Sequence, residues 1–216
     1  MHCIVTAGPT YEPLDKVRRL TNFSTGMLGS QLAAFLQERG HEVTLLISET
    51  ATYRGELHAR SIKTFTTTAN LRELLQSISE QRVGALFHAA AVSDFAFGKL
   101  WHRGEGGELS KVKGGKISTR DGNLLAELKP TAKIIAELRG WFPKTTIVGW
   151  KYEVDGSRDD VLRNAERQLA ESRTDACVTN GPAYGEGFGL LKAGTPLAHF
   201  PHKERLFQGL EGLLPR

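Results

Sequence analysis

Short apolar, β-branched runs alternate with amphipathic helical stripes along most of this chain, and that alternation leaves few folds open. "HCIVTAG" (2–8) is an apolar run ending in glycine and reads as a buried strand. "GMLGSQLAAFLQERG" (26–40) sets Leu28, Leu32, Phe35 and Leu36 on one helical face and stops at Gly40. "HEVTLLIS" (41–48) is a second buried strand, and strand, helix, strand in this order is a βαβ unit with parallel strands. The rhythm continues with a third strand at 60–66, Thr68 as the cap of a helix over 69–82, and a fourth strand over 84–95 running into a polar end. A fifth strand is expected at 145–153 and a sixth at 174–180, with an amphipathic helix over 157–172 between them. The expected fold is α/β, a Rossmann-like, doubly wound, mostly parallel sheet, as a single nucleotide-binding domain over 1–216.

One region breaks the rhythm. Residues 98–122, "GKLWHRGEGGELSKVKGGKISTRDG", are rich in glycine and basic residues and too interrupted for a core helix. They read as a hairpin or mobile flap leading into a short strand at 123–129, so the glycine-rich basic flap covers about 98–129. Irregular stretches of this length inside a domain usually cover a site or a partner.

Composition narrows the partners. With 40% hydrophobic and 24% charged residues the chain is an ordinary globular sequence. A net charge of +4 with no long Lys/Arg block suits an anionic small molecule, and no nucleic-acid partner is expected. No apolar run approaches the ~18 residues of a membrane span. The first residues already read as a strand, so neither membrane span nor signal peptide is expected and the location is read as cytoplasmic. Cys3 and Cys177 sit inside apolar strand runs and read as small buried hydrophobes.

In an open parallel sheet the ligand lies at the carboxyl ends of the strands. That rule gathers the Gly8 turn, the "NFSTG" loop (22–26), "AAAVSD" (89–94) and "GWKYE" (149–153) at one crevice. In "NFSTGMLG" (22–29), Ser24 or Thr25 is expected to cap the helix, while Gly26 and Gly29 permit close approach. Free N–H groups at a helix mouth make a phosphate seat; a well-capped helix with glycines for packing accounts for the same residues. The dinucleotide fingerprint G-x-G-x-x-G is missing, because only Gly8 follows the first strand, and Ser48 stands where a ribose-binding acid belongs, with Glu49 only adjacent. The loop 9–25 is expected to hang Glu12, Asp15, Arg18, Arg19 and Asn22 over the seat instead, which suits a second substrate better than a pyrophosphate lying on the turn.

"VTAGPTYEPLDKVRRLTNFSTGMLG" (5–29) closely resembles the opening of the phosphopantothenate–cysteine ligase family, the ligase half of the bifunctional coenzyme A flavoprotein. The family pattern runs T-x-G-x-T-x-E-P-[ILV]-D-x-V-R, then N-x-S-[ST]-G-x-x-G, and every element is present. "AAAVSDF", "GKIST", "LKPTAKIIAEL", "VGWKYE", "VTN" and "GFG" resemble later family segments in the correct order. The resemblance implies a ligase that joins 4'-phosphopantothenate to cysteine with CTP or ATP and Mg²⁺ through an acyl-nucleotidylate. It implies that Lys116 neutralises the triphosphate, that Asp94 sits by the nucleotide, through metal, and that Asn22 holds the acyl-nucleotidylate. Gly8, Ser24, Thr25 and Gly26 would cradle phosphate, and His88, Ala89 and Ala90 would offer backbone groups to the base. Trp150 would take a family Phe place against the base, with Glu153 retained, and Arg18 and Asn180 would serve substrate. A homodimer and a separate decarboxylase partner are further expectations, and no flavin is expected because the flavin-binding half is not in this sequence.

The departures cluster around the nucleotide. The family's A-N-D-V reads "TNGPA" (179–183), keeping Asn180 but placing Gly181 beside it; F-A-A-E reads "WKYE" (150–153); K-x-K-K reads K-I-S-T. CTP and ATP both stay open, as does a changed acid. Two competing readings remain: a nucleotide-binding paralogue without the activity, and an NAD(P)-dependent reductase on the same fold, against which the missing glycine fingerprint speaks.

Overall fold

Eight strands form the main sheet in the computed structural model, which describes residues 1–112, 115–118, 120 and 122–214. In chain order they are β1 (His2–Ala7), β4 (Glu42–Ser48), β5 (Ser61–Phe65), β6 (Ala85–His88), β10 (Thr146–Tyr152), β11 (Ala176–Asn180), β12 (Phe188–Leu191) and β13 (Ala198–Phe200). Their spatial order is β13-β12-β11-β10-β6-β1-β4-β5. The pairs from β5 through β11 are parallel, and only β12 and β13 join antiparallel. The fold is thus α/β with a large, mostly parallel sheet, as the alternation predicts.

Strand alternation divides the core into two layers. Cys3, Val5 and Ala7 of β1 face α1 (Met27–Glu38) and α5 (Lys203–Glu211), in a cluster with Leu32, Leu36 and Phe207. Ile4 between them faces α2 (Thr68–Ser77) and α3 (Ile134–Trp141), with Leu71, Leu75, Leu86 and Leu138. A smaller cluster seats α4 (Arg158–Ser172) on Cys177 and Leu191. Both cysteines are buried thiols, as expected. Burial pushes Cys3 up to about 11 and Cys177 up to about 12, which keeps both protonated at neutral pH.

β1 pairs with β4 on one side and with β6 on the other. The chain therefore leaves β1 in one direction and returns later to its opposite edge. The crevice beyond the carboxyl ends of β1 and β6 is the switch point at which such sheets bind ligands.

Four expectations need correction. The fourth strand does not run over 84–95: β6 ends at His88, and β7 (Phe95–Arg103) belongs to a different sheet. The intervening 89–94 is captured by the loop after β1, through Ala91 N–H to Gly8 O (3.0 Å), Thr10 N–H to Ala91 O (3.1 Å) and a bridge between Pro9 and Ala91. The cap of α2 is Thr67, whose hydroxyl accepts from Asn70 N–H at 3.2 Å, while Thr68 is buried as the first helical residue. That helix stops at Ser77, whose hydroxyl bonds back to Leu74 O at 2.8 Å. At α1 the cap is Gly26 and neither Ser24 nor Thr25, although Thr25 Oγ1 accepts from Met27 N–H at 3.2 Å.

The flap is structured. β7 pairs with β8 (Leu109–Lys111) and with β9 (Asn123–Pro130) in a three-stranded antiparallel sheet with order β8-β7-β9. It begins at Phe95, earlier than the sequence suggests, and parts of the expected 98–122 excursion (residues 113, 114, 119 and 121) lie outside the described residues. The loop after β1 also has its own order, a small hairpin of β2 (Tyr11–Pro13) and β3 (Arg19–Thr21).

Candidate active site

Gly8 and Gly26 are far apart in sequence and packed together in space. Both have positive φ, 84° and 81°. A Cβ on Gly26 would stand 3.1 Å from Ala51 Cβ and 3.4 Å from Gly8 Cα, and one on Gly8 would stand 2.8 Å from Ser48 Cβ. The close approach that a contiguous glycine fingerprint gives is rebuilt here by two glycines with a hairpin inserted between them. The mouth of α1 thus lies directly against the turn that leaves β1.

The residues after β1 form a buried polar hub. Thr10 Oγ1 accepts from Ser93 N–H (2.8 Å) and lies 3.1 Å from both Thr68 Oγ1 and Ser93 Oγ. Glu12, mostly buried, accepts from Thr68 N–H at 3.0 Å, at the positive end of α2. Asn22 is exposed, and its Nδ2 donates to Ala91 O (3.3 Å) and Val92 O (3.4 Å). The side-chain amide of Asn22 is thereby held over the segment leaving β6. Ser24 is half-buried and Thr25 exposed, and Thr25 O accepts from Thr52 and Tyr53 N–H at 3.1 and 3.0 Å.

His88 is sequestered. Its Nδ1 lies 3.0 Å from Thr6 Oγ1, and the same hydroxyl accepts from Ala90 N–H at 3.0 Å. Burial lowers the His88 pKa to about 4, which makes it a neutral ring at neutral pH. Ala89 N–H donates to Phe87 O, so the amides of Ala89 and Ala90 are both already engaged. Asp94 is exposed and ion-paired with Lys133 beside the start of α3. Among the described residues no three His, Cys, Asp or Glu converge into a metal cage. Asp94 is a single carboxylate of the kind that joins magnesium only when phosphates and water complete the shell.

The expectation that Glu12, Asp15, Arg18 and Arg19 overhang the phosphate seat is corrected by the hairpin. Glu12 turns to α2, and Arg19 stacks on Tyr11 with its guanidinium 4.5 Å from the ring centre. Asp15 and Arg18 brace the flap. The Asp15 carboxylate, 2% exposed, accepts from Val17, Arg18 and Ile117 N–H and from the Arg18 guanidinium. Arg18 also donates to Ile117 O at 2.8 Å, and Lys16 N–H donates to Gly115 O at 2.9 Å. Arg18 therefore braces the flap. Lys116 sits between the two braced residues, exposed, and among the described residues it is in no ion pair. Between hairpin and flap opens a cavity of about 730 Å³ with Lys16, Lys99 and Lys111 on its walls. A second, of about 480 Å³, is lined by Arg18, Lys116 and Arg120. Both lie off the Gly8–Gly26 mouth.

The remaining site candidates stand at the ends of β10 and β11. Trp150 packs partly buried against the α1 and α5 layer, with Nε1 enclosed and, among the described residues, without a partner. Glu153 accepts from Asn164 Nδ2 at 3.2 Å, and its N–H donates to Asn180 O at 3.1 Å. The Asn180 Oδ1 is also enclosed without a described partner. The structure thus brings Gly8, Asn22, Thr25, Gly26 and 88–94 together, keeps Lys116 on the braced flap, and joins Glu153 to Asn180 separately. Sequence reasoning missed Thr10 and the true role of Asp15. The signal for Thr10 was a small polar residue just beyond a buried strand.

The sequence pattern of the DNA/pantothenate metabolism flavoprotein C-terminal domain matches residues 1–199. A bifunctional coenzyme A biosynthesis protein, CoaBC, from Thermococcus kodakarensis is 30% identical over 181 residues, covering 82% of this chain and 40% of the relative. The chain therefore spans about two fifths of that relative's length. A solved structure described as the DNA/pantothenate metabolism flavoprotein from Streptococcus pneumoniae superposes with TM-score 0.86 at 29% identity, covering 99% of this chain and 97% of the other. A Cab2 mutant solved in complex with phosphopantothenate-cysteine shares the fold, with TM-score 0.72 at 18% identity over 98% of this chain and 85% of that one.

Proposed function

The chain belongs to the DNA/pantothenate metabolism flavoprotein C-terminal domain family, and from that membership we propose that residues 1–216 act as one nucleotide-dependent ligase domain joining 4'-phosphopantothenate to cysteine in coenzyme A biosynthesis. The observation that carries the reading is the hairpin after β1. It seats Asn22 on the segment leaving β6 and holds both neighbours of Lys116, Ile117 through Asp15 and Arg18 and Gly115 through the N–H of Lys16. One small element thus positions an amide at the crevice and a cation on its flap.

The chemistry follows from these positions. The carboxylate of the acid attacks the α-phosphorus of CTP or ATP, forming an oxygen–phosphorus bond as the bond to the β-phosphate oxygen breaks and pyrophosphate leaves. Cysteine's amine then attacks the activated carbonyl, expelling the nucleoside monophosphate and giving the amide. Lys116 offsets the charge that builds on the departing pyrophosphate, and Asn22 donates to the acyl-nucleotidylate. The helix mouth at Gly26, with Gly8, Ser24 and Thr25 around it, receives phosphate. His88, Ala89 and Ala90 offer backbone groups to the base, and the amides of Ala89 and Ala90, engaged within the fold, leave that role to their carbonyls. Trp150 and Glu153 border the base side, and Arg18 and Asn180 serve substrate, Arg18 while also fixing the flap. Asp94 would offer a carboxylate to magnesium carried in with the triphosphate, which would supply charge neutralisation there. The exposed Phe95, Leu124 and Leu128 on the flap sheet support a homodimer. No helix among the described residues is long and apolar enough to cross a membrane, and the cytoplasm is the compartment proposed.

The test is pyrophosphate release with phosphopantothenate, cysteine and magnesium, run with CTP and with ATP. Release that requires both the acid and one nucleotide is expected. Binding of nucleotide with no release under any combination would instead indicate a paralogue that lacks the activity.

A further inference from the structure

Asn22 is held by long bonds. Its Nδ2 reaches Ala91 O at 3.3 Å and Val92 O at 3.4 Å, both near the outer limit of a hydrogen bond, and the residue is exposed. A shift of a few tenths of an ångström in those carbonyls would release the amide. Whatever fixes the two carbonyls therefore fixes Asn22.

One buried residue makes bonds on both sides of this arrangement. Thr10 N–H donates to Ala91 O at 3.1 Å, the same oxygen that accepts from Asn22. Thr10 Oγ1 accepts from Ser93 N–H at 2.8 Å, and Ser93 Oγ donates to Thr10 O at 3.3 Å. Val92 lies between these two anchored residues, so both carbonyls that hold Asn22 belong to a stretch pinned at each end by Thr10. On the other side, Thr21 Oγ1 donates to Thr10 O at 3.0 Å, and Thr21 is the residue that directly precedes Asn22. The hydroxyl of Thr10 is itself referenced to the start of α2 through Thr68 Oγ1 at 3.1 Å. Thr10 is 0% exposed, with Ser93 and Thr68 also buried, so solvent cannot replace these bonds. A methyl group in place of the hydroxyl would leave Ser93 N–H without its acceptor, and the 91–94 segment would move to find another.

From this convergence we infer that Thr10 is the positioning residue for Asn22, setting both the acceptors that hold its amide and the backbone that carries it. The inference rests on the ligase reading above, in which Asn22 acts on the acyl-nucleotidylate. Thr10 works from beneath the crevice, through other residues, so its hydroxyl governs the rate of the reaction and not the binding of the nucleotide.

The experiment measures kcat and the three KM values for the full chain, Thr10→Val, Thr10→Ser, Asn22→Ala and the Thr10→Val, Asn22→Ala double variant, with thermal unfolding alongside. Thr10→Val is expected to lower kcat about 10- to 100-fold, as a displacement of about 1 Å near a reacting centre does, with the nucleotide KM within about threefold of the parent. Thr10→Ser keeps the hydroxyl and should recover most of the loss. In the Asn22→Ala background, Thr10→Val should cost less than about threefold, because the group it positions is gone. An unchanged kcat in folded Thr10→Val, or an equal loss with and without Asn22, would overturn the inference and leave the ligase reading standing. Should Thr10→Val fail to fold, Thr21→Val decides, since it removes only the hydroxyl that ties the neighbour of Asn22 to Thr10 O. A kcat loss there that vanishes in the Asn22→Ala background sustains the inference, and any other result overturns it. No pyrophosphate release from the unaltered chain with either nucleotide would overturn both readings at once.

Discussion

Asp15 shows how one side chain can join two segments far apart in the sequence. Its carboxylate sits among the N–H groups of Val17, Arg18 and Ile117 and the Arg18 guanidinium, which holds it well below the usual carboxylate range. A depressed pKa means the brace is at full strength above the unfolded value of about 3.9 and weakens only as pH falls below it. Flap anchoring should therefore be flat through neutral pH and loosen in acid. Asp15→Asn should mimic that acid form at pH 7: amide exchange at Ile117 should speed by about tenfold or more while β1 and β4 keep their protection, since local opening need not involve the core. Unaltered exchange at Ile117 would contradict the brace. Lys116, exposed on the braced segment, offers the complementary case: Lys116→Ala should lower turnover at least about 100-fold and leave the unfolding free energy within about 0.5 kcal/mol of the parent. Equal turnover would remove it from the site. The turn roles of Gly8 and Gly26 were legible because glycines at such positions carry their reasons locally. Asp15 was not, because its partner Ile117 lies 102 positions away and neither residue type announces the other.

At the scale of elements, α1 and β1 meet through glycine. A Cβ on Gly29 would come within 2.7 Å of Ala7 Cβ and 2.9 Å of Thr6 O, so this helix turn rests directly on the strand backbone. Gly29→Ala should push α1 outward and cost about 1–3 kcal/mol, the usual range for overpacking, read from the denaturant midpoint at constant m-value. A stability within error of the parent would show that the helix has room to move. Strand and helix positions in the parallel core followed from periodicity because both faces are buried and the runs are long. The fourth strand was overextended because "AAAVSDF" stays apolar after His88, while its hydrogen bonds go to the loop after β1. β12 and β13, at four and three residues, are too short to carry a period. In the flap, β9 was legible as the strand expected at 123–129, whereas β7 and β8 were masked by glycines and lysines that suit an exposed three-stranded sheet as well as a loop.

For the whole molecule, the sheet order decides where chemistry can occur. β1 between β4 and β6 opens the crevice, the inserted hairpin returns the chain to it at Gly26, and the antiparallel flap stands on the hairpin. Nothing in a linear pattern says that residues 8, 26 and 91 meet, yet the general rule for doubly wound sheets predicts the end of the sheet at which they do. The family match spans almost the whole of this architecture. The central claim is that this crevice activates a carboxylic acid on a nucleotide's α-phosphorus before any amine arrives. It is tested most directly by mixing the chain with phosphopantothenate, magnesium and nucleotide labelled at the α-phosphate, omitting cysteine, and quenching in acid. Label transferred to a species containing both acid and nucleoside monophosphate, and discharged as free monophosphate once cysteine is added, is the predicted result. Label found only in unreacted triphosphate, with CTP and with ATP alike, would contradict it.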